Sequence, residues 1–325
     1  MKGIKIGIVG LEYGAKVLAP AFRKDLRCEV VALAATRLEK AISVAQRLGV
    51  PNAFGDYESL LASGIDAVAI ATPPAAQVVI AKSALRRGIR VFADKPLGVT
   101  PADTEALLAL SRGLTTMVDF EFVESAPFQR FRKLVKARGA VELSVEWRLE
   151  TYAAKMRLES WKTRATEGGG ALHTFGSHIF YNLEWCLGRM DSLTAKTFKR
   201  PDDPRDTHTG VEFTAGFVSG SRAQVFLDTA ASAESVHTWR FDQVELANRS
   251  KDYLGGFTVS QGGKVTFETP PSPEDGRIAA VASLVGRFVD GILGKGPSEP
   301  SFAAGHRVQV LIDKAFQSEG RLVRV

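Results

Sequence analysis

The chain has 325 residues, and its 42 Lys and Arg against 36 Asp and Glu give a net charge of +6. This composition is that of a globular protein with material for about two domains. No apolar run approaches the roughly 18 residues of a membrane-spanning helix, and two cysteines cannot form a disulfide framework. No His or Cys cluster has metal-ligand spacing, and the basic residues are scattered. We therefore expect a cytoplasmic protein that binds no metal, membrane or nucleic acid.

The first third of the chain alternates short apolar strands with helices. Strands are predicted at Lys5–Gly10, Val30–Ala34, Phe54, Ala67–Ala71, Arg90–Ala93 and Thr116–Phe120. Helices are predicted at Ala15–Lys24, Glu39–Leu48, Tyr57–Ser63, Ala75–Arg87 and Pro101–Ser111. Apolar strands that alternate with helices predict a doubly wound parallel sheet covered on both faces. We place this α/β domain at residues 1–119.

The pattern changes after about residue 120. Ala140–Glu150 alternates apolar and polar residues, which predicts a strand with one solvated or interfacial face. A long helix is predicted at Gly168–Leu187, followed by several alternating strands and by helices at Ile278–Gly291 and Ala303–Ser318. Residues 120–325 are therefore predicted to form a second, α+β domain with a large, mainly antiparallel open sheet.

A glycine-containing turn follows the first predicted strand. It reads Gly10-Leu11-Glu12-Tyr13-Gly14-Ala15. The dinucleotide-binding fingerprint is G-x-G-x-x-G/A, so Gly10 and Ala15 match and Glu12 stands where the middle glycine lets the backbone approach a pyrophosphate. A carboxylate directed at the phosphates weakens binding, whereas one directed to solvent costs little. An ordinary tight strand–helix turn remains the alternative.

The end of the second strand normally selects the cofactor. An acid there binds the ribose 2′-OH, and an Arg accommodates a 2′-phosphate. The segment contains Ala35, Thr36 and Arg37, with Lys40 one turn later and no acid among them. We therefore expect NADP in preference to NAD, which remains possible. The alternative is that Arg37 is a solvated residue of the first helical turn.

Three further segments define a resemblance. They are Ala71-Thr72-Pro73-Pro74, Ala93-Asp94-Lys95-Pro96, and the run Gly168-Gly169-Gly170-Ala171-Leu172 that precedes Gly176-Ser177-His178. In this order they resemble the glucose–fructose oxidoreductase, inositol dehydrogenase and rhizopine-catabolism (Gfo/Idh/MocA) family. The resemblance implies an N-terminal Rossmann domain and a second domain whose sheet forms dimer or tetramer contacts. It also implies nicotinamide-dependent oxidation of a hydroxyl on a sugar, cyclitol or related compound, or the reverse reduction.

The same resemblance implies the site residues. Lys95 matches the catalytic lysine, and His178 matches the catalytic histidine. The loops after two strands are implied to contact the cofactor through Ala71, Thr72, Pro73, Asp94, Lys95 and Pro96. In an α-helix the positions 174, 178 and 181 share one face, which suits a substrate cleft. Thr174 and Tyr181 stand where the family has aspartates. A histidine that is hydrogen-bonded in an interdomain contact is the alternative for His178.

Charged residues elsewhere have more than one interpretation. Glu121, with Asp119 and Glu124, either contacts a cationic or amino-bearing substrate or is a solvated loop charge. Trp161 lies among four basic residues, Lys155, Arg157, Lys162 and Arg164. These residues contact an anionic substrate or a neighbouring subunit, or they form an ordinary surface.

These observations favour an NAD(P)-dependent oxidoreductase that acts on CH–OH groups of small molecules. Lys95 and His178 are predicted to share the proton chemistry at the carbinol oxygen. Two alternatives remain. Glu12 and Thr174 suit a family member that has lost ordinary catalysis and serves as a sensor, binding protein or accessory subunit. The acids near Glu121 give some support to an imine reductase.

Overall fold

The computed structural model describes residues 3–156, 158–201, 203, 205–231, 235–250, 254–270 and 274–325, and only the backbone of Ala153. The chain divides into two compact units. Unit 1 contains residues 1–121 and 277–307, and unit 2 contains residues 122–276 and 308–325.

Unit 1 is built on a parallel sheet of six strands among its described residues. They are β1 Ile4–Val9, β2 Cys28–Ala34, β3 Asn52–Phe54, β4 Ala67–Ile70, β5 Arg90–Ala93 and β6 Thr116–Val118. The spatial order is β3-β2-β1-β4-β5-β6, and every neighbouring pair is parallel. The order reverses between the paired strands β1 and β4, so the connections that follow these two strands lead to opposite halves of the sheet. In open α/β sheets the carboxyl ends at such a point form the ligand-binding crevice.

Helices connect these strands. They are α1 Ala19–Arg23, α2 Leu38–Leu48, α3 Tyr57–Leu61, α4 Pro74–Arg86 and α5 Pro101–Leu110. A π-helical turn, Gly14–Leu18, leads directly into α1. Pro74 and Pro101 stand at first helical positions, where the missing N–H costs nothing. The Thr100 hydroxyl oxygen accepts a hydrogen bond from the Asp103 N–H, and the Asp103 carboxylate accepts one from the Thr100 N–H, which fixes the start of α5.

A late segment completes the core of unit 1. Helix α9, Gly276–Ile292, buries one apolar face. Its Phe288 contacts Phe22 and Phe92 edge-to-face, with ring centroids 6.4 and 5.7 Å away. All three rings are fully buried. Edge-to-face geometry adds to the burial of large apolar area, so this trio fastens α9 to the parallel sheet.

Unit 2 contains a second sheet, of nine strands within the described ranges. They are β7 Glu142–Arg148, β8 Met190–Phe198, β9 Gly210–Phe217, β10 Arg222–Asp228, β11 Val236–Phe241, β12 Val244–Asn248, β13 Phe257–Gln261, β14 Lys264–Glu268 and β15 Leu322–Arg324. The order is β14-β13-β12-β11-β7-β10-β9-β8-β15. Only β7 and β10 pair in parallel among these strands. The two sheets confirm the predicted α/β plus mainly antiparallel architecture.

One face of the second sheet is buried and the other is accessible. Along β7, exposed Glu142, Ser144 and Arg148 alternate with buried Leu143 and Val145. The helices of unit 2 are α6 Ala126–Arg138, α7 Tyr152–Lys155 and α8 Ser177–Leu187. Helix α10, Phe302–Ser318, crosses the division after Arg307. None of the helices in the described residues has the length and apolarity to cross a membrane.

The structure differs from the uninterrupted helix predicted at Gly168–Leu187. Ala165–Glu167 forms a short 3-10 turn, Leu172–Gly176 is π-helical, and α8 starts only at Ser177. A π turn has more residues per turn than an α-helix and is frequent at functional sites. The α-helical spacing assumed for Thr174 therefore holds only from Ser177 onward.

Candidate active site

The turn after β1 requires glycine at its first position. Gly10 has φ = +98°, and a Cβ there would lie 2.2 Å from the carbonyl oxygen of Ala71. Its N–H donates to the Ala34 oxygen at 3.0 Å, and the Ala71 N–H donates to the Val9 oxygen at 2.8 Å. The ends of β1, β2 and β4 are therefore held together by their backbones. Gly14 is constrained less severely, because a Cβ there would lie 2.9 Å from a side-chain methyl of Ile8.

Glu12 occupies the middle of this turn and is directed away from the protein interior. Its side chain is 73% exposed, and its carboxylate lies 2.7 Å from Lys40 Nζ and 3.4 Å from Lys16 Nζ. The hydrogen bond and charge of Lys40 lower the pKa of Glu12. The carboxylate is thus engaged by two lysines, which answers the question that the sequence left open about its direction.

The predicted ribose-selecting residues follow the buried carboxyl end of β2. Ala35 donates its N–H to the Phe54 oxygen at 3.2 Å and is half-buried. Thr36 and Arg37 are exposed, and Arg37 is the residue directly before α2. Three helical residues later comes Lys40, the partner of Glu12. The positively charged side chains of Arg37 and Lys40 therefore lie on the surface beside the glycine turn.

The loops after β4 and β5 carry the other predicted contacts. Thr72 has a buried Oγ1 without a hydrogen-bond partner among the described residues, whereas Pro73 is exposed. Lys95 and Asp94 are half-buried, and the Lys95 N–H donates to Asp94 Oδ1 at 2.8 Å. The Lys95–Pro96 peptide bond is cis.

Gln77 is a support that the sequence did not reveal. It lies on α4, is 1% exposed, and its Nε2 donates to the carbonyl oxygens of Asp94 and Pro96 at 2.7 and 2.9 Å. These bonds hold the loop that presents Lys95. The only signal in the sequence is an amide within an otherwise apolar helix face.

Buried acids follow β6. Asp119 is fully buried and accepts a hydrogen bond from the Tyr13 hydroxyl at 2.8 Å, and its Oδ1 has no partner within the described part of the chain. Glu121 is 3% exposed. Burial raises the pKa of Asp119 well above its usual range and that of Glu121 to about 7, and the charge of Lys95 opposes both rises. The solvated-loop interpretation is therefore wrong for these two acids.

His178 lies in unit 2, in the first turn of α8. It is 1% exposed, and its ring meets Phe122 edge-to-face at 4.8 Å between centroids. Phe122 also contacts Trp147 and His237, which stack on each other at 3.9 Å. The imidazole is thus held against an aromatic cluster, which fixes its position.

The other candidates of unit 2 differ in exposure. Thr174 is buried, and its hydroxyl donates to the Gly170 oxygen at 2.7 Å. This hydrogen bond stabilises the start of the helix. Trp161 and Tyr181 are half-buried. Lys162 and Arg164, beside Trp161, are exposed, and Arg157 lies outside the described residues.

His208 is a second support that the sequence did not reveal. Its Nε2 accepts the Leu172 N–H at 2.9 Å, and a Cβ on Gly170 would lie 2.2 Å from its ring. Burial lowers the pKa of His208 to about 3, so the imidazole is neutral and able to accept this bond. Gly170 therefore leaves the space that this ring occupies.

The residues of unit 1 fit a dinucleotide. A glycine turn leads from β1 into a helix start beside the strand-order reversal. The buried Thr72 hydroxyl has no partner among the residues that the structure describes, and Lys95 stands at the same edge of the sheet. No group of three or more His, Cys, Asp or Glu side chains within the described ranges is arranged as a metal site. Fold and site define the class of nucleotide-dependent dehydrogenases with a Rossmann unit and a second, sheet-bearing unit.

Comparison with known proteins identifies the family. Residues 4–122 match the family described as "Oxidoreductase family, NAD-binding Rossmann fold", and residues 128–244 match the "GFO/IDH/MocA C-terminal domain". The chain belongs to the GFO/IDH/MocA oxidoreductases, as its motifs predicted. It is accordingly an oxidoreductase with an NAD-binding Rossmann unit.

Relatives and solved structures agree with this assignment. The dTDP-3,4-didehydro-2,6-dideoxy-alpha-D-glucose 3-reductase of Streptomyces violaceoruber is 33% identical over 73% of this chain and 76% of its own length. The D-xylose 1-dehydrogenase (NADP(+)) 2 of Haloferax volcanii is 29% identical over 68% of this chain and 67% of its own. A levoglucosan dehydrogenase in complex with NADH shares the fold, with 18% identity, a TM-score of 0.85 and 99% coverage of both chains.

Proposed function

We propose that this protein transfers a hydride between a nicotinamide cofactor and a hydroxyl or carbonyl carbon of a sugar, cyclitol or related small molecule. The observation that carries the proposal is the edge of the parallel sheet, where the Gly10 turn, the Thr72 hydroxyl and Lys95 follow strand ends of one unit. The activities for which two relatives are named, a sugar 3-reductase and a xylose 1-dehydrogenase, support the substrate class.

Lys95 and His178 are the proposed catalytic residues. When bound, the nicotinamide supplies or accepts the hydride. The ammonium of Lys95 polarises the substrate oxygen, which favours the charge that develops there during the reaction. His178 takes the proton from a carbinol or returns it to a carbonyl. Gln77 keeps the Lys95 loop in place through its two carbonyl contacts. Glu121, Trp161, Thr174 and Tyr181 remain proposed contacts of the substrate.

The test of this function is turnover with a panel of aldoses, anhydrosugars and cyclitols in the presence of NADP or NAD. We expect Lys95→Ala to lower kcat on the order of 10²- to 10⁴-fold, with dinucleotide affinity changed much less. His178→Asn is expected to act in the same direction. Lys295→Ala removes an exposed lysine of unit 1 and serves as the control. Wild-type rates in Lys95→Ala would refute the catalytic role, and absence of any turnover would favour a binding or accessory protein.

We further propose a preference for NADP over NAD. Arg37 and Thr36 are exposed just before α2, after the strand whose end is expected at the ribose. A guanidinium and a hydroxyl suit a phosphate, and the segment offers no acid for a ribose hydroxyl. Cofactor affinities of wild type and Arg37→Met, measured by fluorescence titration, test this preference, which Arg37→Met is expected to abolish.

We also propose that the accessible face of the second sheet joins copies of the chain into a dimer or tetramer. On this face Arg148 is bonded to Glu146 at 2.7 Å and lies over the ring of Phe226 at 5.2 Å. Aromatic residues and Arg are enriched at protein–protein interfaces, which suits Phe226 and Arg148. Light scattering of wild type and Phe226→Asp tests this assembly. The free thiols Cys28 and Cys186 fit the cytoplasm as the proposed location.

A further inference from the structure

We propose that Glu12 limits the preference of this chain for NADP, because its carboxylate neutralises the lysines that would otherwise attract the 2′-phosphate. The inference rests on the proposed nicotinamide function and assigns a specificity-determining role within that site. Its basis is the pairing of one carboxylate with Lys40 at 2.7 Å and Lys16 at 3.4 Å.

The positions of these residues connect the two parts of the cofactor site. Glu12 belongs to the turn after β1, and Lys40 belongs to the first turn of α2, just after Thr36 and Arg37. The Glu12–Lys40 ion pair therefore joins the turn that is expected to contact the pyrophosphate to the segment after β2 that is expected to contact the ribose. Any charge on Lys40 that reaches a 2′-phosphate is offset by the carboxylate bonded to it.

Charge accounts for the selectivity. NADP differs from NAD by one phosphate group, so a change in local charge acts on NADP binding more than on NAD binding. Lys40 lowers the pKa of Glu12, so the carboxylate stays ionised at neutral pH. All three side chains are solvent-exposed, with 73, 69 and 42% exposure for Glu12, Lys16 and Lys40. Water and salt screen such charges, so the expected effect is moderate.

The experiment compares dissociation constants for NADPH and NADH, measured by fluorescence titration at low salt. We expect Glu12→Gln to improve the NADPH-to-NADH affinity ratio about 3- to 10-fold, with little change for NADH. The gain should fall below about 2-fold near 1 M salt, where the Debye length is ~3 Å. In the Lys40→Met background, Glu12→Gln should change the ratio much less, because the two residues act through their pairing.

The matched control is Glu39→Gln, which removes an exposed acid from the same helical turn as Lys40. An unchanged ratio in Glu12→Gln, or an equal gain in Glu39→Gln, would overturn the inference. A loss of NADH affinity in Glu12→Gln would also overturn it, since the carboxylate would then bind the ribose directly. If wild-type protein binds neither dinucleotide, the proposed function itself fails. A normal wild-type affinity with an unchanged ratio removes only the role of Glu12.

Discussion

Glu121 gives the protein a specific dependence of stability on pH. The carboxyl is 3% exposed, and burial raises its pKa from 4.5 to about 7. Because the folded pKa lies above the unfolded one, the native state binds more protons between these values. The stabilising contribution of the protonated acid is present below pH 4.5 and is lost as the pH rises through 7. The difference of the two pKa values, at about 1.4 kcal/mol per pH unit, corresponds to roughly 3 kcal/mol.

Glu121→Gln replaces the acid by a neutral side chain of the same shape. We expect the variant to gain stability relative to wild type as the pH rises. Between pH values of about 5 and 8.5, the difference in free energy of unfolding should change by on the order of 2 to 3 kcal/mol. Urea denaturation followed by tryptophan fluorescence at both pH values measures this change.

Glu105→Gln is the control, because Glu105 is an exposed carboxyl on α5 of the same unit. Its effect should stay within about 0.5 kcal/mol at both pH values. A stability difference for Glu121→Gln that is the same at both pH values would refute the reasoning. It would mean that the buried carboxyl titrates normally in the folded protein.

Three further predictions concern packing and pH. Gly10→Ala should unfold at a lower urea concentration and bind dinucleotide more than about 10-fold more weakly, because its Cβ would lie 2.2 Å from a carbonyl oxygen. The control is Gly64→Ala, at a glycine with φ = +78° and open space around it. This control should lose only about 1 kcal/mol of unfolding free energy. Equal losses in the two variants would contradict this. Phe288→Ala should lower the free energy of unfolding by about 3 to 5 kcal/mol, since the ring is fully buried. A loss below about 1 kcal/mol would show that α9 does not support unit 1. Burial lowers the pKa of His237 to about 3. The unfolded state therefore binds a proton that the folded state does not, and the stability should fall as the pH drops below 6.5. His237→Gln should make this fall less steep in acid titrations followed by circular dichroism. If His237→Gln loses stability at low pH as steeply as the wild type does, this histidine is not the cause of the acid sensitivity.

The first unit was predictable because its signals are local. Each strand is a short apolar run, each helix has a start or stop residue, and parallel connections of this kind have few alternative arrangements. The positive φ of Gly10 is also a local property, since only glycine adopts it without strain. The motifs around Lys95 and His178 were readable for the same reason, as they are contiguous in the chain.

The contacts that refine the site depend on distant residues. Gln77 bonds a loop 17 to 19 residues further along, and Tyr13 bonds Asp119 across 106 residues. No local pattern predicts which side chain meets which backbone atom at such separation. The pKa of Glu121 likewise depends on burial, which the sequence around it does not encode, so the sequence left open whether this acid was solvated.

The sequence by itself determined the family and the two sheets, because periodicity and short motifs are set by neighbouring residues. Only the tertiary structure decided that α9 returns to the core of the first unit, through Phe288, and that Glu12 pairs with Lys16 and Lys40. Both depend on how segments remote in the chain pack, and packing is decided by the complementarity of buried surfaces and charges in three dimensions.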